Sequence, residues 1–208
     1  MPAVKKDNMA LWNSVSKTNP EHTKRIDQRG GFTAIDAHSQ IEAATRVFGP
    51  AGAGWGWDVE LQYPPNDTIL AIVTLWHGKP EQTVKQVGQK KLNSNRGPDE
   101  DAVKKAVTDG ITKCLSYLGF NADVFLGRFD DNKYVQQVAA EFKEAAKPKE
   151  IKDFEDFTNS TNDPKKLIKE YEEIHKPNLI NLKDEWPTFV RTAKSEYDQK
   201  LTRLKEAA

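Results

Sequence analysis

Cysteine is nearly absent from this chain: Cys114 stands alone among 208 residues. No intrachain disulfide can form, which fits a reducing compartment and leads us to expect a cytoplasmic protein. Long apolar runs are missing too. No segment approaches the roughly 20 apolar residues of a spanning helix. The N-terminal MPAVKKDNMALW lacks an apolar run of the length a signal peptide uses. No membrane partner is expected. Net charge is also missing, because 31 Lys and Arg balance 31 Asp and Glu. A nucleic-acid binder is often basic overall. Any such surface here must therefore arise from local sorting of charge and not from its sum. Dividing the chain at Lys147 leaves both parts near balance.

Catalytic patterns are scarce as well. His22, His38, His77 and His175 are not paired at ligand spacing, and one cysteine cannot build a zinc site. Gly49, Gly52, Gly54 and Gly56 follow a helical pattern and lead into a strand, the reverse of a phosphate loop, and no Gly-Lys-Ser/Thr occurs. Their expected role is backbone freedom. Pro98-Asp99 followed by Glu141-Phe142-Lys143 has loose spacing for a metal nuclease, and an N-cap role suits Asp99 better. No nucleophile elbow appears. We expect neither an enzyme nor a bound cofactor.

What is present is periodic. Thr33 to Gly49 reads as a helix with Asp36 as N-cap and Gly49-Pro50 as its stop. Trp55, Trp57, Val59, Leu61 and Tyr63 alternate with polar residues, a strand with one buried face. Thr68 to Trp76 is a second strand and Glu81 to Gly88 a third, joined by short turns as an antiparallel meander. Lys90 to Pro98 reads as a loop or hairpin tip. A long helix runs from about Asp99 to Leu118, with Val103, Ala106, Val107, Ile111, Cys114, Leu115 and Leu118 on one stripe. Gly110 lies on that stripe. Glycine in a helix interior costs about 1 kcal/mol, so close packing is expected there. Asp130 to Lys147 is another amphipathic helix. The expected fold is α+β: an antiparallel three-stranded meander packed with a long helix, a β-β-β-α core, plus a helical C-terminal extension. The expected organisation is a domain over 1–147, a polar linker over 148–163 and a helical tail over 164–208.

Basic residues gather around that core. Lys104, Lys105 and Lys113 lie off the apolar stripe, with Thr108, Thr112 and Ser116 beside them. Lys90, Lys91 and Arg96 precede the helix, and Lys24, Arg25 and Arg29 lie upstream. Such side chains can line a groove for phosphates, with hydroxyls positioning a backbone without reading sequence. Solvated helix lysines are the default alternative. Trp55, Trp57 and Trp76 can stack bases, though alternating strands more often bury them.

Two stretches, RGGFTAIDAHSQIEAATRVFGPAGAGW (29–55) and VKKAVTDGITKCLSYLGFNADVF (103–125), resemble the N-terminal annealing domain of the eukaryotic recombination mediator Rad-fifty-two and its phage relatives. The resemblance spans roughly residues 22–135, and Ala106-Val107-Thr108-Asp109-Gly110 is its most specific part. It implies single-strand annealing in recombination and repair without ATP, by rings, arcs or filaments of many copies that hold single-stranded DNA in a basic groove. If the protein is phage-encoded, its compartment is the bacterial host cytoplasm. The family places two adjacent basic residues after Thr-Asp-Gly, where this chain has Thr112 and Lys113. It places another where Ser116 stands. By the same likeness Lys24, Arg25, Arg29, Lys90, Lys91, Lys104 and Lys105 are carried over as DNA-binding. The tail is outside the resemblance. It is a candidate dock for a host single-strand binding protein, or the working surface of a non-catalytic adaptor, the alternative reading.

Overall fold

The computed structural model describes residues 7–27, 31–94 and 97–207. The chain divides into two compact units, one ending at Ala140 and one beginning at Glu141.

In the first unit the meander forms as expected. Strands β3 (Trp55–Gln62), β4 (Thr68–His77) and β5 (Lys79–Lys91) make an antiparallel sheet in the order β3-β4-β5. Helix α3 (Ala102–Tyr117) lies over β4 and β5. Ile69, Ala71, Val73 and Leu75 from β4 meet Ala106, Ile111, Cys114 and Leu115 in the core. Glycines set the distance between the layers. A Cβ on Gly110 would stand 2.4 Å from Val73 Cγ2, and one on Gly88 of β5 would stand 1.8 Å from the Ala106 carbonyl oxygen. The close packing expected at Gly110 is thus met, and Gly88 is its partner across the interface.

Several expectations change. A short hairpin, β1 (Thr23–Ile26) with β2 (Phe32–Ile35), precedes the first core helix, so Thr33 to Ile35 are strand and not helix. Helix α2 (Ala37–Phe48) then starts where Asp36 accepts the His38 and Ser39 N–H groups, and it ends at Gly49 with φ +93°. Strand β5 extends to Lys91, which takes Lys90 and Lys91 out of the expected loop and sets them opposite Ile69 and Thr68. A small hairpin of β6 (Asn93–Ser94) and β7 (Gly97–Pro98) follows. Asp101, not Asp99, occupies the N-cap position of α3, and its side chain makes no capping bond there. The alternating face of β3 is only partly covered. Trp55 is buried, but Val59 and Leu61 are each 38% exposed. Helix α3 lies over β4 and β5, which leaves the outer half of β3 open.

A buried polar network ties Thr18, just after helix α1 (Ala10–Val15), to α4 (Ala122–Phe125) and α5 (Asn132–Ala146). The Thr18 N–H and hydroxyl donate to the Asp123 carboxylate at 2.9 and 2.5 Å, and the Tyr134 hydroxyl donates to it at 3.0 Å. Asn121 and Gln40 extend the chain of bonds to α2. A buried carboxylate is tolerated because each approach to it is satisfied.

The second unit corrects the expected linker. Residues Lys149–Ser160 form helix α6, and Ile151 and Phe154 are wholly buried. Their spacing, with Phe157 and Thr158 following, makes an apolar stripe on a helix that is otherwise polar. Helices α7 (Pro164–Glu170), α8 (Lys176–Leu182) and α9 (Pro187–Glu206) complete the unit, with a π turn at Tyr171–His175 between the first two. Its core is Ile151, Phe154, Leu167, Tyr171, Leu179, Ala193 and Tyr197. Buried His175 stacks on Phe157 at 4.7 Å. Burial pushes its pKa below the ordinary 6.5, against the opposing pull of Glu170 and Asp153. A depressed histidine pKa favours the neutral form in the fold. Its stabilisation is therefore complete above about pH 6.5 and is lost as pH falls through the lower folded value. Thermal melts of the full chain are expected to show acid destabilisation below pH 6.5 that His175→Phe reduces. No helix among the described residues is long and apolar enough to cross a membrane.

Candidate nucleic-acid interface

Lys105, Asp109 and Lys113 follow one another at four-residue intervals along α3 and form a single stripe beside edge strand β5. Each lysine on it has an acidic partner. Lys105 Nζ donates to both oxygens of Asp99 at 2.8 and 2.9 Å. The hydrogen bond lowers the Asp99 pKa and raises that of Lys105. Lys113 Nζ donates to Asp109 Oδ2 at 2.9 Å and to the Val87 carbonyl at 3.0 Å. The same Asp109 oxygen accepts the Gln89 N–H at 3.2 Å. Val87 and Gln89 are two residues apart, so their backbone groups leave β5 on the same side. The Asp109–Lys113 pair therefore satisfies a stretch of strand edge that would otherwise be open to pairing.

That gives Lys113 a structural use. Lys113→Ala is expected to cost about 1 kcal/mol, the usual scale for a lost hydrogen bond, through the Val87 carbonyl and the Asp109 carboxylate it leaves behind. Urea denaturation measures this, and an unchanged midpoint would remove the structural role.

The remaining cations are differently placed. Lys104, Thr108 and Thr112 form the neighbouring stripe on α3. The Thr108 hydroxyl bonds back to the Lys104 carbonyl, and Thr112 is half-buried. On β5, alternation sends Lys90 to the side of the sheet that carries Gly88, and Lys91 to the open side. Lys24 and Arg25 are exposed on β1. Arg25 Nη1 reaches Asp130 Oδ1 at 3.3 Å. Among the described residues Lys24, Lys90, Lys91 and Lys104 make no ion pair, unlike Arg25, Lys105 and Lys113. The expected cations thus fall into two groups, one along α3 and β5 and one on the hairpin, and no hydrogen bond among the described residues joins them. Arg29 and Arg96 lie outside the described residues.

The aromatic candidates separate in the same way. Trp55 is wholly buried and cannot take a base. Trp57 is half-buried and packs on the core. Trp76 is half-buried on the open face of the sheet, with its ring against Gly56. His77 stacks on Phe48 at 4.8 Å, and burial pushes its pKa down. No group of acidic, histidine and cysteine side chains among the described residues could hold a metal ion. Sequence reading missed the counter-ions Asp99, Asp109 and Asp130. The four-residue spacing of Asp109 and Lys113 was a usable signal.

The chain matches no family model, no curated protein and no solved structure.

Proposed function

We propose that this protein binds single-stranded DNA and anneals complementary strands without ATP, acting as an oligomer in recombination. The observation that carries the reading is a set of four lysines that make no ion pair among the described residues: Lys90, Lys91 and Lys104 on the β-β-β-α core, and Lys24 on the β1–β2 hairpin. Lysines with no carboxylate partner can neutralise phosphates without first breaking an ion pair. They also allow a net-neutral chain to attract a polyanion locally. The likeness at residues 106–110 supports the same reading, because Gly110 and Asp109 both serve the contact between α3 and β5. Annealing would proceed by capture of phosphates, ordering of the strand with its bases free, and pairing with a second strand. Thr112 and Ser116 replace basic residues of the family pattern, so the expected interface relies on β5 and the hairpin more than on the end of α3.

The test is fluorescence annealing of complementary oligonucleotides with purified protein and no nucleotide. Faster pairing with intact strands supports the reading. No acceleration favours the adaptor, and strand cleavage in Mg²⁺ would point to a nuclease.

A further inference from the structure

Between the β1–β2 hairpin and the segment Arg128–Val135 lies a cleft of about 680 Å³, whose lining includes Arg25, Thr33, Phe129, Asp130, Asn132 and Val135. Among the described residues Arg25 is the one cation in the lining. Its guanidinium lies against Gly31, where a Cβ would stand 2.6 Å from Nη2, so the glycine leaves room for it. The contact to Asp130 is single and long at 3.3 Å, with Asp130 73% and Arg25 52% exposed. A guanidinium–phosphate pair is typically bidentate at about 2.7–2.9 Å. The Thr33 hydroxyl and the Asn132 amide line the cleft with no hydrogen-bond partner among the described residues. Phe129 and Val135 supply an apolar wall.

We infer that this cleft receives one nucleotide of the bound strand, whose phosphate takes Arg25 by displacing the Asp130 carboxylate. The inference rests on the annealing reading and adds a built-in competitor to it. Thr33 and Asn132 donate to the incoming phosphate or sugar, and the apolar wall faces the rest of the nucleotide. The displaced carboxylate stays beside the phosphate and repels it, so Asp130 limits the affinity of the site. A strand held this way is released more readily, which suits a protein that must hand it to a complement. The exchange involves no covalent change and no proton transfer.

The experiment is a four-protein cycle of wild type, Asp130→Asn, Arg25→Gln and the double variant, titrated with a labelled oligo-dT by anisotropy at fixed salt. Removing an exposed counter-ion should tighten binding about two- to fivefold. Arg25→Gln should weaken binding, and Asp130→Asn should have no effect in its background. Full coupling of this kind supports the exchange. An Asp130→Asn gain that persists without Arg25 marks a general charge effect and overturns it, as does an unchanged affinity. If none of the four proteins binds DNA, the annealing reading falls and the subsite with it. Circular dichroism melts of the exposed-site variants check that the fold is retained.

Discussion

Gly88→Ala is expected to lower the stability of the first unit by at least about 3 kcal/mol, the upper range for overpacking a core. The added methyl would meet the Ala106 carbonyl oxygen at 1.8 Å, the Gly110 nitrogen at 2.6 Å and the Ala106 carbonyl carbon at 2.9 Å. All three are backbone atoms of α3, so no side-chain rotation can relieve the clash. The helix must lift from β5 or the strand must bow. Either movement separates Gly110 from Val73 and draws Asp109 and Lys113 away from Gln89 and Val87. Gly110→Ala is expected to be milder, because its nearest neighbour is a methyl of Val73 and side chains yield more than backbone does. Urea denaturation with tryptophan fluorescence reads both variants, and equal midpoints for wild type and Gly88→Ala would remove the close approach as a determinant of the fold.

The contrast between those glycines marks what could be seen in the residues alone. Gly110 stood on a seven-residue apolar stripe, so its need for close packing was legible. Gly88 sits in a polar strand, and only the docking of α3 shows its use. Asp36, Gly49 and the meander were legible because each follows from local spacing and turn chemistry. The β1–β2 hairpin was not, since Thr23–Ile26 and Phe32–Ile35 are four residues each and too short for a clear alternation. Helix α6 was hidden by composition. Asn159, Ser160 and Thr161 read as linker, while Ile151 and Phe154 gave too few apolar positions to outweigh them. At the candidate interface, residue types were legible but their pairing was not. Asp130 lies 105 residues from Arg25, and the Val87 carbonyl lies 26 from Lys113. Contacts at that separation depend on the fold, and they decide which lysines are free.

That division gives the second large effect. Replacing Lys24, Lys90, Lys91 and Lys104 together with alanine is expected to weaken single-strand binding on the order of 10- to 100-fold near physiological salt. Each phosphate neutralised on a single strand contributes about 0.7 to the slope of log affinity against log salt, so loss of four such contacts flattens the slope by up to about 2.8. The fold should be untouched, because none of the four lysines has an ion-pair partner among the described residues to strand. Lys113→Ala should do the reverse, lowering stability while keeping most of the salt slope. A change of four in net charge could by itself repel DNA, so a second quadruple variant, Lys165, Lys169, Lys183 and Lys205 to alanine, carries the same change in the second unit. If both quadruple variants lose equal affinity and equal slope, net charge governs binding and the interface on β1, β5 and α3 is wrong. If only the first loses them, the local sorting of charge makes a neutral chain a DNA binder, and the lysines left unpaired by the fold are the ones that hold the strand.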